Sequence, residues 1–167
     1  RAQPLAISSA SSMKVTHAIR ACHDAILVGI NTVLADDPQL NVRLVEGRSP
    51  TPVVLDSQLR TPPDARIFSV HEQLIVGTTT APYTNGSSNG SKEWAESLNP
   101  AILHRNNAVV APITADQDNR VSLIHLLRHL KEQGIQSVMV EGGSRVLSSF
   151  LTNGPVDFLA VTVAPSL

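Results

Sequence analysis

Residues 20–43, RACHDAILVGINTVLADDPQLNVR, constrain the fold of this chain more than any other stretch. The apolar run at 25–28 is too short for an isolated helix, and it reads as a buried strand that breaks at Gly29. Behind the glycine come a polar crossing with Asn31 and Thr32, the acidic pair Asp36-Asp37 and a proline, with Arg20 and Arg43 at either end. Hydroxyl, carboxylate and guanidinium groups crowded after a strand describe the rim of a site, because a core would have to desolvate all of them. Taken alone, the Asp-Asp-Pro run also suits an ordinary turn in which a carboxylate caps local amides.

The rest of the chain alternates strands with helices. Ser8 and Ser9 offer an N-cap, and Met13, Val15, Ala18, Ile19 and Cys22 then recur every three to four residues, which predicts an amphipathic helix ending near His23. Cys22 is expected to pack on its apolar face. Further strands are predicted at 52–55, 73–77, 135–140 and 156–163, with a weaker one near 108–111. Leu123, Leu126, Leu127 and Leu130 mark a helix closed by Gly134, and a short helix is expected over 144–151. Residues 81–92, APYTNGSSNGSK, are turn formers without periodicity and read as a mobile surface loop. The pattern predicts an α/β fold with a mostly parallel central sheet flanked by helices.

Composition narrows the function. A formal charge of −1 gives no basic footprint for nucleic acid. No run is long enough to span a membrane and the N-terminus lacks a signal pattern, so a cytoplasmic protein is expected. One cysteine permits no internal disulfide. His125 and His129 stand four apart on a helix, but the glutamate of a zincin and a third ligand are missing, so a solvated face and no metal are expected. His17 and His23 receive the same reading.

The strongest physical site is the run from Val138 to Arg145, VMVEGGSR. A buried strand leads into two glycines and a helix start. Glycines let a phosphate approach the backbone, and free amides with the helix dipole favour an anion. A glycine pair after a strand is weak evidence alone, and neither a dinucleotide fingerprint nor a P-loop is present.

These runs, joined with VVLDSQLRTP at 53–62, VEGGSRVL at 140–147 and VDFLAVTVAP at 156–165, closely resemble the riboflavin-biosynthesis pyrimidine reductases. That family includes the C-terminal reductase domain of the bifunctional deaminase-reductase and the stand-alone 2,5-diamino-6-ribosylamino-4(3H)-pyrimidinone 5′-phosphate reductase. The resemblance covers the chain except residues 81–107. It implies a dihydrofolate-reductase-like fold in a single domain, a homodimer, and NADPH-dependent reduction of a ribosylamino side chain to ribitylamino. Thr32, Asp36, Ser57 and the run Gly142, Gly143, Ser144, Arg145, Val146 and Leu147 would then contact the cofactor. Arg20, Leu40, Arg43 and Glu141 would contact the phosphorylated pyrimidine substrate. The hydroxyl run Thr78, Thr79 and Thr80 is a candidate for the 2′-phosphate of NADPH. The family's first strand, with its Ser-x-Asp-Gly-Lys-type motif, and its last strands have no counterpart here, so a domain truncated at both ends is expected. Two alternatives stand beside this reading: a reductase acting on the deaminated 5-amino-6-(5-phosphoribosylamino)uracil, and a catalytically silent NADP-binding or assembly module.

Overall fold

The computed structural model describes residues 9–79 and 107–163. The run at 81–92 lies outside them. Within the described residues the elements run α1 (Ala10–Ala21), β1 (Ala25–Gly29), α2 (Ile30–Asp36), β2 (Thr51–Leu55), α3 (Ile67–Val70), β3 (Leu74–Thr79), β4 (Ala108–Ile113), α4 (Leu123–Glu132), β5 (Val138–Gly142) and α5 (Ser144–Asn153). The five strands form one sheet in the order β4-β3-β2-β1-β5, and every pairing is parallel.

Both faces of this sheet are covered, which is why its central strands read as continuous apolar runs. Side chains alternate across a strand. Ile26, Val28, Val54 and Val76 therefore join Phe68 and Leu59 in one core, while Ala25, Leu27, Val53 and Ile75 pack with Leu126, Leu130 and Phe150 in the other.

Several expectations need correction. In α1, Ser9 is the cap, its hydroxyl accepting from the Ser12 amide at 3.1 Å, but the buried residue of the helix is His17. Met13 and Val15 are exposed, and so is Cys22, against the packing expected of it. The apolar spacing traced a face, and a hydrogen-bonded histidine took the buried position instead. The polar crossing after Gly29 is helical as α2, a short helix with no side-chain cap to betray it in the sequence. β5 starts three residues later than predicted. Gly134 closes α4 with φ +83°, and the Gln136 and Ser137 amides then donate to Asp24 Oδ2 at 3.0 Å, so residues 135–137 are spent on the turn.

Residues 156–163 form no strand. Their apolar alternation is present, but a strand exists only by pairing, and no described segment lies alongside them. Phe158 and Val163 stay 84% and 82% exposed.

Candidate functional site

All five strands are parallel, so their carboxyl ends share one edge of the sheet. The chain builds outward from β1 through β2, β3 and β4, then returns to place β5 on the other side of β1. This reversal is the topological switch point, where open α/β sheets leave a crevice for ligands. Gly29 ends β1 and Gly142 ends β5 at that crevice.

The approach there is close. A Cβ on Gly29 would lie 2.8 Å from Val146 Cγ2, and one on Gly142 would lie 3.0 Å from Thr32 Oγ1. Gly143 has φ +87°, which side-chain-bearing residues rarely adopt. It serves as the N-cap of α5 without a side-chain bond. The first intrahelical bond runs from the Leu147 amide to the Gly143 carbonyl at 3.0 Å, which leaves the preceding amides of the first turn without helical acceptors.

A cleft of about 1180 Å³ opens at this point. It brings together Thr32, Asp36, Ser57, Gly143, Ser144, Arg145 and Val146, all expected from the sequence. Gly142 is buried behind the lining against Thr32, and Leu147 lies one turn on, outside it. The far wall was not foreseen. It is the turn at 116–122, where the Asp116 carboxylate accepts from the Asp118 and Arg120 amides at 2.9 Å. The turn formers there were a usable signal for a loop, but not for its location. Arg60, also missed, reaches Asn31 Oδ1 at 3.3 Å on the same rim.

Ser57 is held from several sides. Its hydroxyl accepts from the Val121 amide at 3.3 Å, and its carbonyl accepts from the hydroxyls of Thr78 at 3.2 Å and Thr79 at 2.9 Å. Thr78 is buried. These two hydroxyls are thus spent on positioning Ser57, and Thr80 lies outside the described residues. Below Ser57, buried Asp56 ties the turn by accepting from the Thr61 amide and hydroxyl, both at 2.7 Å.

A second cavity of about 200 Å³ adjoins the first through Asp36, which lines both. Arg20, Leu40 and Arg43 line it together, as expected, and Arg66 joins them unforeseen. Leu40 is buried with φ +52°, a left-handed conformation that is uncommon for a bulky residue and marks a constrained segment. The constraint comes from both neighbouring helices. The Arg66 amide donates to Asp37 Oδ1 at 2.8 Å, His71 Nε2 donates to the Gln39 carbonyl at 2.7 Å, and the Arg43 amide donates to His17 Nδ1 at 3.1 Å. Burial lowers the pKa of His71, partly offset by its bond to Gln39. Burial also lowers that of His17, with the Arg20 and Arg43 charges adding to the effect and Glu141 opposing it.

Glu141 on β5, expected as a substrate contact, lies outside the lining of this cavity and is engaged by Arg20. Arg20 Nε and Nη2 grip its two carboxylate oxygens at 2.6 Å each, in a forked pair mostly shielded from solvent. Arg20 Nη1 also donates to the Asn41 carbonyl at 3.1 Å. The two residues expected as separate substrate contacts are therefore a single brace between α1, β5 and the 40–43 segment. A carboxylate has about four acceptor sites, so Glu141 keeps capacity for a further donor. Among the described residues no cluster of His, Cys, Asp or Glu could hold a metal ion.

The description "RibD C-terminal domain" belongs to a family model that matches residues 2–167. The chain belongs to that family. Its relatives within the RibD C-terminal domain family include the 2,5-diamino-6-ribosylamino-4(3H)-pyrimidinone 5′-phosphate reductase of Methanothermobacter thermautotrophicus, 38% identical over 164 residues, which span 96% of this chain and 68% of that one. The riboflavin biosynthesis protein RibD of Aquifex aeolicus is 35% identical over 96% of this chain but only 40% of its own length. Among solved structures, the riboflavin biosynthesis reductase of Saccharomyces cerevisiae superposes with a TM-score of 0.64 at 28% identity, over 86% of this chain and 59% of that one. The bifunctional deaminase/uracil reductase of Thermotoga maritima gives 0.61 at 34% identity, over 88% and 35%. The fold is thus the dihydrofolate-reductase-like arrangement of RibD reductase domains, as the resemblance implied.

Proposed function

We propose that this chain is an NADPH-dependent reductase of riboflavin biosynthesis, acting on the ribosylamino side chain of 2,5-diamino-6-ribosylamino-4(3H)-pyrimidinone 5′-phosphate. One observation carries the reading: two cavities of different chemistry meet at Asp36 on the switch point of the sheet. The larger exceeds the span of about 300–1,000 Å³ common for small-ligand pockets, and an extended dinucleotide calls for such length. The smaller is lined by three guanidinium-bearing residues, Arg20, Arg43 and Arg66, and suits a sugar phosphate.

NADPH fits the larger cleft on the chemistry of its donors. Gly143 lines the cleft, Gly142 lets Thr32 pack close behind it, and the first turn of α5 offers amides and the positive end of its dipole to a diphosphate. Thr32, Asp36 and Ser57 would hold the remaining polar groups. When bound, the cofactor supplies the hydride, which goes to C1′ of the sugar. The chain's own part is to orient two ligands and exclude water. Arg43 and Arg66 carry the charge that fixes the phosphate, while Arg20, braced by Glu141, lines the cavity beside them. In this reading the protein is cytoplasmic and works as a homodimer, with the exposed apolar residues 156–163 as its contact.

Oxidation of NADPH in the presence of the ribosylamino substrate tests the assignment, with NADH and the deaminated substrate as comparisons. Turnover with the non-deaminated substrate and NADPH is the expected result. Preference for the deaminated substrate would make it the uracil reductase. NADPH binding without turnover on either substrate would leave a silent cofactor-binding module.

A further inference from the structure

We infer that His17 is a positioning residue for the substrate cavity, acting as a neutral hydrogen-bond acceptor that fixes the segment carrying Leu40 and Arg43. The inference rests on the reading of that cavity as the substrate site. His17 lies 4% exposed on α1, and its Nδ1 stands 3.1 Å from the Arg43 amide nitrogen. An amide N–H can only donate, so Nδ1 must carry a lone pair, and the ring is the neutral tautomer with its proton on Nε2. Protonation would put a second N–H against the Arg43 N–H. The bond would be lost and two donors would face each other in a buried place.

The surroundings reinforce this state. Arg20 on the same helix and Arg43 in the segment place positive charge near the ring, and Glu141 on β5, already gripped by Arg20, is the opposing charge among the described residues. Burial and the two arginines keep the ring neutral at ordinary pH. The consequence reaches the cavity because Arg43 and Leu40 line it and Leu40 is held at positive φ. A segment kept in a sparsely populated conformation relaxes when a tether is released. His17 touches no lining surface of either cavity, so it acts through Arg43.

Three versions of the chain test this. In His17→Asn the side-chain oxygen takes the place of Nδ1 as acceptor and does not titrate. In His17→Leu the acceptor is gone. For the native chain, KM for the ribosylamino substrate should climb as pH falls through the His17 pKa, with kcat moving far less. His17→Asn should show only the change caused by the substrate's own phosphate, which titrates near 6. His17→Leu should raise KM about fivefold above the His17 pKa, the size expected for one lost hydrogen bond, and the gap from the native chain should close as pH falls through that pKa. An Asn variant with the native pH profile, or a Leu variant with native KM, would overturn the inference.

Nitrogen NMR of the native chain gives a readout that needs neither turnover nor a folded variant. The expected spectrum has His17 protonated at Nε2 alone near neutral pH, with the Arg43 amide shift following the His17 titration. A proton on Nδ1, or an Arg43 amide indifferent to that titration, would refute the tether even if the cavity binds the proposed substrate. Conversely, a confirmed tether with no substrate turnover would fault the functional reading and leave His17 holding the segment without a role in substrate affinity.

Discussion

Gly143 and Gly142 differ in what a methyl group would do to them. At Gly143 the obstacle is the backbone, since φ +87° is strained for any side chain, whereas at Gly142 a Cβ would crowd Thr32 at 3.0–3.1 Å. Gly143→Ala should cost about 1–3 kcal/mol of stability. Gly142→Ala should displace Thr32 and weaken NADPH roughly tenfold, about 1.4 kcal/mol. Gly134→Ala is the control: its φ is +83° but nothing lies within 4 Å of a Cβ, and it sits beyond α4, away from the cleft. It should lose stability in urea as Gly143→Ala does, yet leave NADPH titration unchanged. A second prediction concerns the brace. Arg20→Met and Glu141→Gln should each destabilise, and the double variant by less than their sum, with a coupling of about 1–3 kcal/mol by urea unfolding. Additive losses would mean the two groups stand independently. At this scale the sequence grouped residues that share a cavity better than it showed their contacts. Arg20 and Glu141 were both visible as site residues, but 121 positions separate them and nothing local announces that they pair. His17 reads as a helix-face histidine because a lone histidine carries no mark of the amide that will meet it.

Elements were legible where burial on both sides wrote itself into composition. β1 and β2 are short, continuous apolar runs, and the structure places them within a residue of their expected bounds. α2 escaped notice because a short helix with Ile30 and Val33 buried has too few turns to display a period. The segment at 37–43 has no regular structure, so no periodicity reveals it, yet α1 and the region around α3 fix it from opposite sides through His17 and His71. That arrangement sets the pH dependence of stability. Both histidines have folded pKa values below the 6.5 of the unfolded chain. Between the folded and unfolded values the unfolded state binds more protons, so stability rises with pH. It is fully present above 6.5 and falls away as pH drops through 6.5 toward the folded values. Asp24 is also lowered, chiefly by the Gln136 amide and the Ser137 hydroxyl, but its loss begins only as pH falls through the carboxylate range below 3.8. Urea midpoints at about pH 7.5 and about pH 5.5 therefore isolate the histidines. The midpoint should be lower at the acid value, and the drop should shrink in His17→Asn combined with His71→Gln. An equal drop in that double variant would place the effect elsewhere.

For the molecule as a whole, the decisive fact is strand order, which local sequence does not encode. β5 lies beside β1 because residues over a hundred positions apart pair, as the bonds between Asp24 and Ser137 show. Only the linked motifs, taken together, anticipated that the late glycine pair would face the early aspartate. The same order leaves β5 at the end of the sheet among the described strands. Beyond α5 the chain runs on with Phe158, Leu159, Val161 and Val163 in solvent, each at least 60% exposed. Neighbouring large apolar residues left in water on this scale call for a covering partner. An alternating segment with unused backbone donors and acceptors is suited to pair with a strand of a second copy. The proposed homodimer would cover it, and the cleft, lined from within residues 29–36, 55–60, 116–124 and 143–153 and by Thr79, would stay outside the contact. Phe158→Asp combined with Val161→Asp should then convert a dimer to a monomer in sedimentation velocity while NADPH titration of the cleft is retained. A native chain that sediments as a monomer at all concentrations, or a double variant that remains dimeric, would remove this segment from the assembly, and retained cofactor binding would show the switch-point crevice to be built by one chain.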